Sequence, residues 1–439
     1  MKYISTNDKT PPVSFSEAAL QGLAPDGGLY LPQSWPQLPN SFWDQLGQKS
    51  LQDIGFEVSR LFVDSLEDEL LEENISEALN FDAPLVSLGN HVYVLELFHG
   101  PTLAFKDFGA RFMSRIFSAM RGGSDQDLVI LAATSGDTGS AVAQGFLGVE
   151  GIQVCLLYPK GKVSYIQEQQ LTTAGQNVTA LEVEGTFDDC QRMVKAAFSD
   201  RSLNEKLQLS SANSINIARL IPQMFYYYYA IGQLREGNPP IFCVPSGNFG
   251  NLTAGLMAQK TGMPAAGFIA ATNANDVVPE FLEHGEFHPR SSKRTISNAM
   301  DVGNPSNFAR IVHLFDGDYQ KIKQKIWGAS FSDSQTRQAI KEVYREHDYL
   351  MDPHTAVGYR AVQQYTASEQ GYFSESESTP KIILSTAHPA KFGDVIEPVI
   401  SAKIDIPARL KTCLNKEKQS VEMSDDYDDL KKWLMDSYR

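Results

Sequence analysis

The sequence predicts an α/β protein built as two parallel-sheet α/β domains around a cleft, with an N-terminal cap segment in front. Three observations predict it. From His91 onward, short apolar or β-branched runs alternate with helical stretches; the apolar helical segment NIARLIPQMFYYYYAIGQL separates the fourth run from the fifth; and the first ninety residues lack this alternation. The runs are HVYVLEL, DLVILAA, IQVCLLY, NVTALEV, IFCVP, GFIAATN and KIILSTA, each of buried-strand length and composition. Strands joined through helices pair in parallel. Seven exceed one small sheet, so two domains facing each other are expected.

In chain order, residues 1–90 form the cap: the turn-rich SEAALQGLAPDGGLYLP leads into helical periodicity from about Phe42 to Leu79. Residues 91–215 are read as a smaller α/β domain and 216–402 as a larger one. Residues 403–439 turn charged, and KEKQSVEMSDDYDDLKKW suggests an acidic tail with a short amphipathic helix. No internal repeat or low-complexity tract interrupts this order.

Composition removes several function classes. The 439 residues are 42% hydrophobic and carry a formal net charge of -15, which speaks against nucleic-acid binding, because neutralising phosphates takes clustered Lys and Arg. No run approaches the roughly 18 apolar residues of a membrane-spanning helix. Cys155, Cys190, Cys243 and Cys413 form no CxxC pair, and MKYISTND has no apolar export signal, so a cytoplasmic protein with reduced thiols is expected. The absence of a long extra N-terminal segment suggests a simple, unregulated protein.

The segment HGPTLAFKDFGARF puts Lys106 in apolar surroundings. Phe105, Phe108, Phe112, Ile116 and Met120 recur every three or four residues, which predicts a helix from about Ala104 with Lys106 in its first turn. The positive end of a helix favours a neutral amine there, which suits a nucleophile; a lysine snorkelling to water beside Asp107 is the other reading. DLVILAA runs into TSGDTGSAVAQGF, where Gly136 and Gly139 allow close backbone approach and Thr134, Ser135 and Thr138 set hydroxyls beside free helix-start amides: an anion cradle, or a capped helix with Asp137 complementing its dipole. The same grammar follows IFCVP in SGNFGNLTAG. Neither loop is a GxxxxGK[ST] or a GxGxxG, so what remains is a phosphate-bearing ligand without nucleotide machinery.

STAHPAKFGDVIEP places Thr386 and His388 just past a strand, on the side where α/β ligands bind. Thr386 is read as meeting a ligand ring nitrogen or ending a strand, and His388 as structural or acid–base. SSANSINIARLIPQ and SNAMDVGNPSNFAR are polar clusters with one arginine each, suited to turns or to gripping an anion. Tyr226 to Tyr229 are expected to pack, and His284 with His288 lacks a third ligand, so no metal is expected.

These segments together resemble threonine synthase, a pyridoxal-phosphate enzyme of fold type II. The likeness runs from YISTND and VSFSEAALQGLAPDGGLYLP through FHGPTLAFKDFGARF, ATSGDTGSA, SANSINIARLIPQ, PSGNFGN and SNAMDVGNPSNFAR to STAHPAKF, in family order. The resemblance implies that Lys106 forms the internal aldimine with pyridoxal 5'-phosphate. It implies that Gly247, Asn248, Phe249, Gly250 and Asn251 hold the cofactor phosphate and that Thr386 offers its hydroxyl to the pyridine nitrogen. Ser135, Gly136, Asp137 and Thr138 would receive the substrate carboxylate, and Asn213, Ser214, Asn216, Arg219, Asn307 and Arg310 the substrate phosphate.

One position departs from the wider fold type. Related lyases carry an asparagine that donates to the cofactor's phenolate oxygen where this chain has Asp137, so either Asp137 is protonated or another residue donates. The implied reaction converts O-phospho-L-homoserine and water to L-threonine and phosphate by γ-elimination and β-addition of water, the last step of threonine biosynthesis. Lys106 would act as the base at the α-carbon. A phospho-lyase releasing 2-oxobutanoate, a dehydratase and a non-catalytic phosphate-ligand sensor stand as alternatives. A small-molecule substrate is expected, with no nucleic acid or membrane partner, in a monomer or homodimer.

Overall fold

The computed structural model describes residues 1–121, 126–134, 136–234, 238–368, 372–373 and 375–438. Two sheets organise the chain. The larger has six strands in the spatial order Ile326–Ser330, Gly267–Thr272, Ile241–Pro245, Lys381–Ser385, Val92–Glu96 and Leu85–Gly89; all neighbours are parallel except the last pair, a hairpin. The smaller has five parallel strands, Val421–Met423, Val178–Val183, Ile152–Pro159, Leu128–Ala133 and Gln208–Ser211. All seven expected strands are present; Leu128–Ala133 and Ile241–Pro245 are buried throughout, so their continuous apolar character matches burial on both faces, whereas Val92–Glu96 is half-buried at Val92, Tyr93 and Glu96.

Two expectations about domain organisation need correction. The division at residue 91 assigned Val92–Glu96 to the smaller domain, yet it pairs with Lys381–Ser385 in the larger sheet, Glu96 opposite Ser385. Apolar character marks a strand as buried but not whom it pairs with. The acidic tail is a built part of the smaller domain: Val421–Met423 extends its sheet, and Leu430 and Leu434 of the helix Tyr427–Ser437 join Met193 and Val194 in one apolar cluster.

The lysine helix spans Lys106–Arg121 and buries Phe108, Phe112 and Ile116. Each buried side chain of this kind contributes about 1.5 to 3 kcal/mol by leaving water. It starts two residues later than the spacing predicts because Ala104 bridges Ala387 and the Phe105 N–H bonds to Thr386 O at 2.9 Å, which holds that stretch extended. Tyr226, Tyr227 and Tyr228 are fully buried in the apolar core, Tyr226 edge-on to Phe108 and Tyr227 edge-on to Phe242. The N-terminal segment pairs Tyr3–Ser5 with Tyr30–Pro32 and shares that core through Tyr3, Phe15 and Phe42. Among the described residues, no helix is long and apolar enough to cross a membrane.

Candidate active site

The C-terminal ends of strands from both sheets meet at a cavity of about 750 Å³, whose wall includes Lys106, Thr134, Thr138, Asn213, Gly247 and Thr386. Lys106 is the first residue of its helix and half-buried. Its Nζ lies 4.5 Å from the centroid of the Phe105 ring, and among the described residues no carboxylate pairs with it. Asp107 turns away and accepts from Thr102 N and Thr102 Oγ1 at 2.9 and 2.7 Å, so the snorkelling pair does not form. Burial, and then the guanidinium of Arg219, push the Lys106 amine down to about 8, against the pull of Asp137. Arg219 is itself buried against that helix: a Cβ on Gly109, one turn beyond Lys106, would lie 2.7 Å from its Nε.

The loop after Ile241–Pro245 forms the second element. Phe249 takes a left-handed φ of 60° and starts the helix Gly250–Lys260. Among the described residues, none of the five amides from Gly247 to Asn251 has a protein acceptor, and all five residues line the cavity. Five free N–H groups at a helix N-terminus form a seat for an anion. The loop is held from outside. Asn248 Nδ2 donates to Ser214 Oγ at 2.7 Å, its Oδ1 accepts from Ser306 N at 2.5 Å, and Tyr227 Oη donates to Asn251 O at 2.7 Å. Thr386 lies 6% exposed in the same wall, with its carbonyl fixed by Phe105 N–H. An amine shifted toward neutrality, an anion seat and a strand-end hydroxyl around one cavity fit a phosphorylated aldehyde cofactor of pyridoxal type.

The loop after Leu128–Ala133 is the third element; Ser135, expected in it, lies outside the described residues. Gly136 adopts φ 140°, donates to Thr134 Oγ1 at 3.0 Å and sits where a Cβ would meet the Gln167 side chain at 2.5 Å, so it shapes the turn. The amides of Asp137 and Thr138 have no acceptor among the described residues. Burial raises the Asp137 carboxyl, but Lys391 Nζ at 2.5 Å and Gln167 Nε2 at 3.0 Å outweigh it and hold the group below the ordinary aspartate range. Asp137 is therefore ionised and can only accept hydrogen bonds.

The expected substrate-phosphate residues divide. Asn213 and Ser214 line the cavity, and Asn213 Oδ1 is buried without a partner among the described residues. Asn216, Arg219, Asn307 and Arg310 do not line it. Arg310 is fully buried and its guanidinium donates to Tyr30 O, Ile215 O and Asn307 Oδ1 at 3.0, 2.7 and 2.7 Å, while Asn216 bonds Ala19 O at 2.8 Å. These side chains brace the Ser214 loop and the N-terminal segment, because a buried guanidinium must spend its donors on nearby carbonyls. His388 lies off the cavity wall; its Nδ1 accepts from Ala390 N at 3.1 Å, and burial lowers its pKa, which is the structural reading.

Sequence reasoning missed three residues. Lys391, in the quoted STAHPAKF, is the counter-ion of Asp137 and also donates to Thr102 O at 3.1 Å. His354, in the cavity wall, bonds the buried Asp352 at 2.6 Å. Lys195, exposed at the cavity rim, is a lining cation with no carboxylate partner among the described residues, whereas Arg192 pairs with Asp189 and Arg290 with Asp276 and Glu280.

Comparison with known proteins agrees with this geometry. Residues 79–383 match the family described as pyridoxal-phosphate dependent enzyme, residues 2–79 the threonine synthase N terminus and residues 355–434 the threonine synthase C-terminal family. The threonine synthase of Escherichia coli is 40% identical, with 99% of each chain covered, and that of Haemophilus influenzae is 42% identical over 97% of each. The crystal structure of the Escherichia coli threonine synthase superimposes with a TM-score of 0.91, covering 99% of this chain and 100% of that one. A pyridoxal-phosphate-bound threonine synthase from Brucella melitensis gives 0.91 at 33% identity, with both chains fully covered.

Proposed function

The chain belongs to the threonine synthase family of fold type II pyridoxal-phosphate-dependent enzymes, and from that premise we propose that the cavity between its sheets converts O-phospho-L-homoserine and water into L-threonine and phosphate. The observation that carries this reading is that a lysine shifted toward neutrality and five unpaired loop amides line one cavity.

Lys106 Nζ would hold the cofactor's aldehyde end, Gly247 to Asn251 its phosphate, and the Thr386 hydroxyl its ring nitrogen. When bound, the cofactor supplies an electron sink for negative charge developing on the substrate's carbons. The chain does the rest. We assign the substrate carboxylate to the amides of Asp137 and Thr138, which have no acceptor among the described residues; of the two, Thr138 lines the cavity. Lys106, with its amine near 8, takes and returns protons at the α-carbon under neutral conditions. The ionised Asp137 has no proton to give, so the cofactor's phenolate oxygen falls to another donor. Asn213 and Ser214 present polar atoms to the substrate phosphate, with Lys195 at the rim as the cation that draws it in.

A net charge of -15 and four free cysteines among the described residues support a cytoplasmic setting. Turnover of O-phospho-L-homoserine with amino-acid and oxo-acid products both quantified tests the reading. Threonine as the main product supports it, and 2-oxobutanoate as the main product overturns it in favour of a phospho-lyase.

A further inference from the structure

His354 and Asp352 lie outside every motif that identifies the family resemblance, yet they connect the two ends of the proposed cofactor seat. Asp352 is fully buried and His354 is 2% exposed. Asp352 caps the helix Pro353–Ala367, its Oδ1 accepting from His354 N at 2.9 Å and from His354 Nδ1 at 2.6 Å. A carboxylate oxygen facing Nδ1 requires the proton there, which leaves Nε2 as an acceptor. Nε2 takes the Ala299 N–H at 3.2 Å, and the Phe392 ring packs edge-on to the imidazole at 5.1 Å.

Ala299 leads straight to the anion seat. A Cβ on Gly247 would lie 2.6 Å from Ala299 O and 2.8 Å from Met300 Cα, so this short turn presses on the backbone of the first loop residue. Asp352 braces the other end as well. Its Oδ2 accepts from Thr355 Oγ1, which frees that hydroxyl oxygen to accept from Ser385 Oγ at 2.8 Å, and Ser385 immediately precedes Thr386. Both ring nitrogens of His354 are thus occupied, so the residue lines the cavity without a nitrogen available to move protons.

We propose that His354, oriented by Asp352, is a positioning residue that clamps the turn Asn298–Met300 against Gly247 and thereby sets the preference of the site for a phosphorylated over an unphosphorylated cofactor. The inference rests on the reading that Gly247 to Asn251 hold the cofactor phosphate.

Two conservative variants separate this role from packing. In His354→Gln the amide oxygen reaches the former Nε2 position and keeps the bond to Ala299. In His354→Asn the amide nitrogen keeps Asp352 but nothing reaches Ala299. Each chain, freed of cofactor, is titrated with pyridoxal 5'-phosphate and separately with pyridoxal, following visible absorbance. The expected result is an affinity for pyridoxal 5'-phosphate about tenfold weaker in His354→Asn, near wild type in His354→Gln, and unchanged affinity for pyridoxal in both. Wild-type affinity in both variants, or equal losses for both ligands in both variants, overturns the inference. A wild-type chain with no preference for the phosphorylated ligand overturns the phosphate-loop reading itself, and this inference with it.

Discussion

Replacing Lys391 with methionine removes the cation that faces Asp137 and leaves most of the lysine's packing volume in place. The pair is enclosed, with Lys391 1% and Asp137 7% exposed and 2.5 Å between Nζ and Oδ1. Removing one partner of a buried pair costs about 3 to 5 kcal/mol, because the remaining charge stays desolvated. After the change Asp137 retains, among the described residues, Gln167 Nε2 at 3.0 Å as its side-chain donor. For 439 residues the unfolding entropy is of order 0.9 kcal/mol/K, so the expected loss is about 3 to 5 °C in Tm.

The pH dependence carries a sign. In the parent chain the Asp137 carboxyl is depressed, so its contribution is present above the unfolded aspartate pKa of about 3.9 and fades as pH falls through the folded value. In Lys391→Met burial loses its main opponent, with the Gln167 hydrogen bond still pulling the other way, and the folded pKa rises, so the deficit is largest at neutral pH and shrinks toward pH 4. Thermal melts of the cofactor-free chains between pH 4 and 8 measure this. The double variant Asp137→Asn with Lys391→Met, which buries no charge at this site, should regain most of the lost Tm. Equal melts for parent and Lys391→Met at neutral pH, or a double variant no better than the single, would refute the reasoning.

Three further outcomes are expected. The rate at which the cofactor-free chain takes up pyridoxal 5'-phosphate, followed by absorbance, should rise with pH to a midpoint near 8, since the neutral form of Lys106 is the reactive one; a midpoint near 10.5 would mean an untuned lysine. Arg310→Gln strips donors from Tyr30 O and Ile215 O in the core and should lower stability by about 1 to 3 kcal/mol in denaturant unfolding, without a selective rise in KM for the phosphorylated substrate. Lys195→Met should raise KM for O-phospho-L-homoserine several-fold at low salt and leave kcat near wild type, with the difference narrowing as ionic strength increases.

The parts of the fold legible in the sequence were those whose burial is symmetric. Runs such as VILAA and IFCV are apolar on both faces because helices cover both sides of a parallel strand. Gln208–Ser211, Ile326–Ser330 and Val421–Met423 escaped notice because each is an edge strand, short or polar, and QLSS reads as the start of a polar turn. At the site, Lys106 and the Gly247–Asn251 loop were readable since a lysine in an apolar helix start and a glycine-rich strand-to-helix turn are local signals. The pairings were not. Lys391 finds Asp137 across more than half the chain, and His354 finds Ala299 through a helix cap, so neither leaves a periodic or motif-like trace. Arg310 misled for the opposite reason: an arginine among asparagines and serines has the composition of an anion site, but here its donors close a buried loop.

The most direct test of the central claim is borohydride reduction of the cofactor-loaded enzyme, followed by proteolysis and mass spectrometry. The added pyridoxyl mass should fall on the peptide carrying Lys106 and nowhere else, and Lys106→Ala should show none. The same mass on Lys391, Lys195 or any other lysine of the unsubstituted chain would contradict it.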